Sequence, residues 1–414
     1  MKLLLLLLAL PMIGFGQNVN IPNANFEAYL VGNTAINTNG DNEIQVSEAS
    51  VFNDTINCSY MNISDLTGIE AFVSLTGLKC FGNTLTSIDV SANTALNSLY
   101  CGYNQLTSLD VSACTALTTL YCNVNQLTSL NVSNCSALTT LNCSGNSLSS
   151  LNVSACTALA NLYCTSNQLT SLDVLACTAL TIMGCYNNQL TSLDVSGLTA
   201  LTTLYCDGNQ LTSLNVSGCT ALIDLACYND QLTSLDLSTC TAITYLVCSN
   251  NNLTSLDVSN CSALTTLYCN VNQLTSLNVK NGNNINMDYF NAENNPNLSC
   301  IEVDNVAFSN TNWSDDIDAT AYFSENCSGA GISDINESNT LMIYPNPTNG
   351  DFTITGLELV GSVSSLSLTD MNGKVVKVLD TKATKFSMAS IKPGVYFLTI
   401  ISGNKQEVLK IVKE

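Results

Sequence analysis

From Leu78 to Leu274 the apolar and polar positions of the chain recur with a period of 21 residues. One unit reads Leu96-x-x-Leu99-x-Cys101-x-x-Asn104-x-Leu106, then Leu109-x-Val111, a turn around Cys114, and Leu117 opening the next. Cys fills ten such positions from Cys80 to Cys269, and Asn stands three residues after each of them except where Asp230 replaces it. The alternation in Leu99-Tyr100-Cys101 is that of a short strand, with Leu99 and Cys101 pointing inward and Tyr100 outward. The Asn column then turns the chain, its side-chain amide satisfying backbone groups left unpaired at the bend. A unit this short cannot bury its own apolar side, so neighbours must stack and share one continuous core.

Less regular units flank the array. One runs from Ile56-Asn57-Cys58 to Leu75, and another, Met287-x-x-Phe290-x-Ala292-x-x-Asn295, is followed by Leu298, Ile301 and Val303. The pattern resembles the leucine-rich repeat L-x-x-L-x-L-x-x-N/C-x-L over roughly half the chain, with Cys in the third Leu position. That resemblance implies a mainly β protein, a leucine-rich-repeat solenoid over residues 56–304 with a parallel sheet on its concave face.

Ahead of the repeats, Met1-Lys2 and the apolar run Leu3–Phe15 have the charged start and greasy centre of a signal peptide spanning residues 1–17, with cleavage expected after Gly16 or Gln17. Residues 18–55 open with Ile21–Leu30, which reads as an amphipathic helix with Asn23 or Asn25 as N-cap. Asn37, Asn39, Asp41, Glu43 and Glu48 then fall at ligand positions of the EF-hand calcium loop. The region resembles the helical EF-hand-like cap of internalin-type surface proteins. Two readings follow from the resemblance, a weakened calcium site or a purely structural helix-loop-helix; no other cofactor is expected.

The chain has 20 Cys. An exported protein this rich in Cys suggests a disulfide scaffold, but the spacing argues against one. Besides the strand column, seven Cys (114, 135, 156, 177, 219, 240, 261) form a second column whose exception is Leu198. A slot that accepts Leu is a core position, so stacked, buried free thiols are expected. Cys300 and Cys327 lie outside both columns and are expected to form one disulfide that staples a C-terminal cap at residues 305–328.

Ser328-Gly329-Ala330-Gly331 begins a polar stretch read as a linker over residues 329–339. Beyond it, apolar alternation in Phe352-Thr353-Ile354, Leu366-Ser367-Leu368, Val395–Leu398 and Val408–Ile411 predicts a small immunoglobulin-like antiparallel β-sandwich over residues 340–414. Four motifs lie within it: Tyr344-Pro345-Asn346-Pro347, Met371-Asn372-Gly373-Lys374, Pro393-Gly394-Val395-Tyr396, and Lys410-Ile411-Val412-Lys413-Glu414. Together they resemble the type A C-terminal sorting domain of Bacteroidota. The resemblance implies passage through the periplasm and export by the type IX secretion machinery, so that the protein is secreted or held on the outer cell surface.

Charge narrows the function. Residues 18–334 hold 25 Asp or Glu against Lys79 and Lys280, and the chain has neither Arg nor His. Nucleic acid is therefore excluded as a partner, since no long phosphate footprint could be neutralised. No internal apolar run reaches the roughly 18 residues of a membrane span. Without His, the Ser-His-Asp and Cys-His arrangements are unavailable, and no phosphate loop or zinc pattern occurs, so no enzyme is expected. The regular acids such as Asp89 and Asp110 share their column with Asn131 and Asn152, as a solvated turn position would.

The outward strand positions are rich in tyrosine. One column holds Tyr100, Tyr121, Tyr163, Tyr205 and Tyr268, and its neighbours add Tyr186, Tyr228 and Tyr245. Tyr offers a rigid amphipathic surface at low entropic cost. The expected function is recognition or adhesion, with an extracellular protein or glycan bound on this face. The alternative is a surface-layer or biofilm spacer without a specific ligand.

Overall fold

A computed structural model describes residues 17–327, 341–355, 363–371, 373–402 and 405–414. The expected signal peptide up to Gly16, the linker at 329–339 and Asn372 lie outside the described residues. The chain divides into two compact units, one ending at Cys327 and the other beginning at Ser328.

The first unit begins with helix α1 (Ala24–Val31), capped by the Asn23 side chain, which accepts from the Phe26 N–H. Phe26 and Leu30 on its inner face start the apolar core that continues through every rung to Phe323. After a short helix α2 (Val46–Ala49), the chain winds into a twelve-stranded parallel sheet of three-residue strands, from Thr55–Asn57 to Tyr289–Asn291. Rungs align position for position, Ser98 with Thr119, Leu99 with Leu120 and Tyr100 with Tyr121. Leu99, Cys101, Leu106, Val111, Cys114 and Leu117 are all fully buried, so both Cys columns and the Leu positions fill one shared interior.

The Asn column is what couples rung to rung. Asn104 Nδ2 donates to the carbonyls of Cys80 and Cys101 at 3.0 and 3.1 Å, while its Oδ1 accepts from Leu85 N–H at 3.0 Å. Each side chain thus satisfies backbone groups of its own rung and of the one before, where a turn would otherwise leave them orphaned. The residue just ahead of each Asn takes the left-handed conformation: Tyr103, Val124 and Asn187 have φ of 53°, 54° and 54°. Gly208 occupies the same position, and an added Cβ there would stand 2.5 Å from Asn187 Oδ1.

On another side of the coil, shorter parallel ladders join Ser192–Asp194 to Ser213–Asn215 and run from Ser255–Asp257 to Tyr322–Ser324. Parallel pairing therefore continues past residue 304 into the expected cap, since Tyr322–Ser324 pairs with Cys300–Glu302. Trp313, following the helix Val306–Asn312, stacks on Phe290 at 4.6 Å and closes the last rung. Cys300 and Cys327 are disulfide-bonded with Cα atoms 5.8 Å apart.

The second unit packs a three-stranded antiparallel sheet (Met342–Tyr344, Asp351–Thr355, Lys385–Ser387) with a four-stranded one (Val375–Val378, Val363–Asp370, Gly394–Ser402, Lys405–Lys413). Its core includes Phe352, Leu366, Leu398 and Ile411.

Candidate ligand-binding face

Three outward positions per rung form a grid on the twelve-stranded sheet, with rungs roughly 4.8 Å apart and alternate residues roughly 7 Å apart. The tyrosines do not form one uniform strip on this grid. Tyr100 and Tyr121 stack on each other with centroids 4.9 Å apart and planes 13° from parallel, and Lys79 Nζ lies 5.3 Å from the Tyr100 centroid. Tyr163 stands alone between Asn142 and Gly184, and Tyr268 borders a separate hollow against Met287 and Trp313. The other four, Tyr186, Tyr205, Tyr228 and Tyr245, are each 36–39% exposed and surround a single cavity of about 570 Å³.

The cavity opens where Ala226 interrupts the tyrosine column. Gly184 and Ala226 sit on either side of Tyr205 in register. Ala226 is flanked within its own rung by Asp224 and Tyr228, and Asp224 pairs in register with Tyr245. Asp207 lies one rung back, between Tyr186 and Tyr228 in their column. Large aromatic walls with a small residue at the floor make a recess on an otherwise filled sheet.

Its electrostatics are those of carboxylates without a cation. Burial pushes the Asp207 carboxyl up, against a hydrogen bond from the Tyr228 hydroxyl and one from the backbone that hold it down. Burial likewise raises Asp224. Burial, with Asp224 and Tyr245 alongside, raises the Tyr205 phenol. The hydrogen bond with Asp207 raises Tyr228, because ionising the phenol would cost that bond. Just beneath, Asp230 is pushed up to about 7, burial outweighing the N–H groups of Leu211 and Asn209 that it accepts, with Asp207 adding to the rise.

Asp207, Asp224, Gly184 and Ala226 were not among the residues singled out from sequence. Gly184 and Ala226 depart from a tyrosine-rich column and Asp224 from a threonine-rich one, which was the available signal, whereas the column of Asp207 varies from rung to rung and offered none. The column of Asp89, Asp110, Asp194 and Asp236 behaves as a turn: each carboxylate accepts from the N–H two residues on, and the Ser hydroxyl there helps hold it below the ordinary carboxylate range.

The N-terminal loop is closed by its own hydrogen bonds. Glu48 Oε1 accepts from the Thr38 N–H and hydroxyl and the Asn39 N–H, and Oε2 from the Gln45 N–H. Burial would raise this carboxyl, yet those donors together hold it below its ordinary value. Asn37 donates to the Val31 and Asp41 carbonyls, Asn39 donates to Asp41 Oδ2, and Glu43 is exposed. No group of three His, Cys, Asp or Glu converges among the described residues.

The strand-column thiols are fully buried, which raises every one from Cys80 to Cys269, Cys101 and Cys143 to about 12. In the second unit, the motif residues at its two ends come together. Asn346 Nδ2 donates to the Lys410 carbonyl and its Oδ1 accepts from Val412 N–H, at 2.7 and 2.8 Å. Buried Lys413 turns its ammonium onto the carbonyls of Met388, Ala389 and Ile391. Tyr396 donates its hydroxyl to the Lys392 carbonyl, and Lys374 N–H bonds Asp370 Oδ1 beyond left-handed Gly373 (φ 80°). Tyr344, Pro345, Pro347 and the Lys410 side chain are exposed, and Gly394 opens the strand to Ser402.

Residues 342–414 match the family model of the secretion system C-terminal sorting domain. Residues 43–167 match that of the leucine-rich-repeat domain of endo-β-N-acetylglucosaminidase EndoS. No curated protein is significantly similar to the chain. Among solved structures, the functional domain of InlJ from Listeria monocytogenes, described as including a cysteine ladder, aligns with a TM-score of 0.63 at 28% identity, covering 96% of this chain and 99% of that one. An internalin, InlF, from the same species gives 0.52 at 21% identity, covering 70% and 92%. A leucine-rich-repeat protein of Leptospira interrogans gives 0.51 at 22% identity, covering 58% and 76%. The last two share the fold.

Proposed function

We propose that this chain, a leucine-rich-repeat solenoid carrying a type IX secretion sorting domain, is a recognition protein that binds an extracellular ligand on the outward face of its long sheet. The sorting domain sends the protein to the cell surface or the extracellular space through the type IX machinery. No helix among the described residues is long and apolar enough to cross a membrane.

The observation that carries the reading is the cavity walled by Tyr186, Tyr205, Tyr228 and Tyr245. Concave sites with aromatic walls and a few placed polar groups are where ligands bind. The reading is of binding rather than catalysis.

Glycan and peptide arrays probed with the protein and with a Tyr205→Ser, Tyr228→Ser, Tyr245→Ser triple variant test it. A discrete set of ligands retained by the parent and lost in the variant is expected. The second reading, a spacer, draws on Tyr100 and Tyr121, whose rings are satisfied by each other and by Lys79. It requires no specific ligand in either arm.

A further inference from the structure

The recess over Ala226 has two carboxyls among four phenol rings and no basic group of its own. Asp224 and Asp207 approach it from opposite sides, and Tyr205, Tyr228 and Tyr245 stand around it. Resting on the recognition function proposed above, we infer that this recess takes a basic side chain, a lysine or arginine presented by an extracellular protein partner.

Charge complementarity is the first support. The first unit has two lysines after its signal segment, and both are engaged elsewhere: Lys79 over the Tyr100 ring, and Lys280 donating to the Glu325 carbonyl at 2.8 Å. The recess therefore holds a buried Asp207 and a partly buried Asp224 with no lysine beside them, and burial is what makes each hold its proton more tightly. An arriving ammonium or guanidinium neutralises them where solvent screens poorly.

A second support comes from within the same sheet. Lys79 already places its ammonium against the face of a column tyrosine. The recess gathers four tyrosines with no lysine among its lining residues. Cation–π attraction strengthens as the site is desolvated.

Other occupants fit less well. A neutral sugar could stack on the rings and donate hydroxyls to the carboxylates, but it would leave their charge unneutralised, and a sulfated or phosphorylated one would be repelled. No group of three His, Cys, Asp or Glu that could hold a metal ion occurs among the described residues.

The test titrates the full-length protein with Nα-acetyl-lysine methylamide, its norleucine analogue, and methyl glycosides of glucose and N-acetylglucosamine, read by saturation-transfer NMR. Three variants use residues that the same grid columns accept in other rungs: Asp207→Asn as at Asn123, Asp224→Asn as at Asn161, and Ala226→Tyr as at Tyr205. Their melting temperatures verify folding.

The lysine probe should bind at least about tenfold more tightly than norleucine and weaken with salt. It should lose about tenfold for each carboxylate removed, and bind no more to the charge-neutral Ala226→Tyr, which fills the recess. The inference is overturned if lysine fails to bind, if norleucine matches it, or if Ala226→Tyr leaves binding intact, which would mean diffuse acidity. A glycoside that binds, and that survives loss of both carboxylates, would also overturn it while leaving the recognition face standing. Silence from every probe, together with an unchanged array in the triple tyrosine variant, would remove both.

Discussion

Replacing Asp230 with Asn should stabilise the solenoid at pH 8 and do almost nothing at pH 4. In the neighbouring rungs the corresponding amides donate to two carbonyls, Asn209 to Cys185 and Cys206 and Asn251 to Cys227 and Cys248, at 2.8–3.2 Å. Asp230 has no amide. Its Oδ1 accepts from Asn209 and Leu211 N–H at 3.1 and 3.0 Å, while Oδ2 is buried with no hydrogen-bond partner. By the register of the rungs that oxygen occupies the position where the other rungs place a donor, so a proton there restores the pattern and a negative charge opposes it. Burial, with Asp207 adding to it, raises the carboxyl from 3.8 to about 7.

The folded pKa is the higher one, so this group's contribution is fully present below pH 3.8 and is lost as pH climbs through about 7. At 1.36 kcal/mol per unit the loss is at most about 4 kcal/mol, and screening beside an open groove reduces it to about 2. Denaturant midpoints of parent and Asp230→Asn, measured from pH 4 to pH 9, should diverge between pH 4 and 7 and run parallel above pH 8. Profiles that stay parallel throughout would refute the protonated side chain.

Four further outcomes follow from the same contacts. Asn104→Ala strips Leu85 N–H of its acceptor and weakens two carbonyl contacts, and should cost about 2–3 kcal/mol by denaturant melt; a surface-like change below 0.5 would contradict the rung-coupling role. Val124→Asn places at φ 54° the residue type that Asn187, Asn229 and Asn250 already supply there, and should raise stability by up to about 1 kcal/mol, visible as a higher melting temperature. The eighteen free thiols, all buried, should resist alkylation in the native protein at pH 8 and all react once it is denatured; rapid native labelling would show the ladder open. Adding calcium or a chelator should leave the melting temperature unchanged, whereas a rise with calcium would mean that Glu48 leaves Gln45 and Thr38 for a metal.

Much of this molecule was legible because it is written ten times. Repetition makes the inward Leu99 and Cys101, the outward Tyr100 and the bridging Asn104 unambiguous, since only a stacked coil gives every copy the same surroundings. The last parallel strand, Tyr322–Ser324, was not legible, because the helix Val306–Asn312 intervenes and the 21-residue spacing is lost. The left-handed residue ahead of each Asn was also missed: Tyr103, Val124 and Gly208 share a backbone conformation but no side-chain chemistry. In the loop at 37–48 the letters are spaced for a metal, and the backbone N–H groups that Glu48 accepts could not be read from that spacing.

The recess shows why a repeat protein keeps its specific chemistry in its exceptions. Stacking demands the same inward residues in every rung, whereas the outward grid is free to vary, so a site can be made there without disturbing the core. Asp224, Ala226 and Asp230 are departures from their columns within one rung, and Asp207 lies in the rung before it, in a column that varies freely. The two rungs are also energetically linked, because Asp207 contributes to the raised proton affinity of Asp230. A cation seated against Asp207 would cancel that contribution, so its binding and the release of the Asp230 proton must favour one another, each shifting the other by the same factor. An irregularity that weakens the ladder at alkaline pH thereby connects the outer face to the spine of the solenoid.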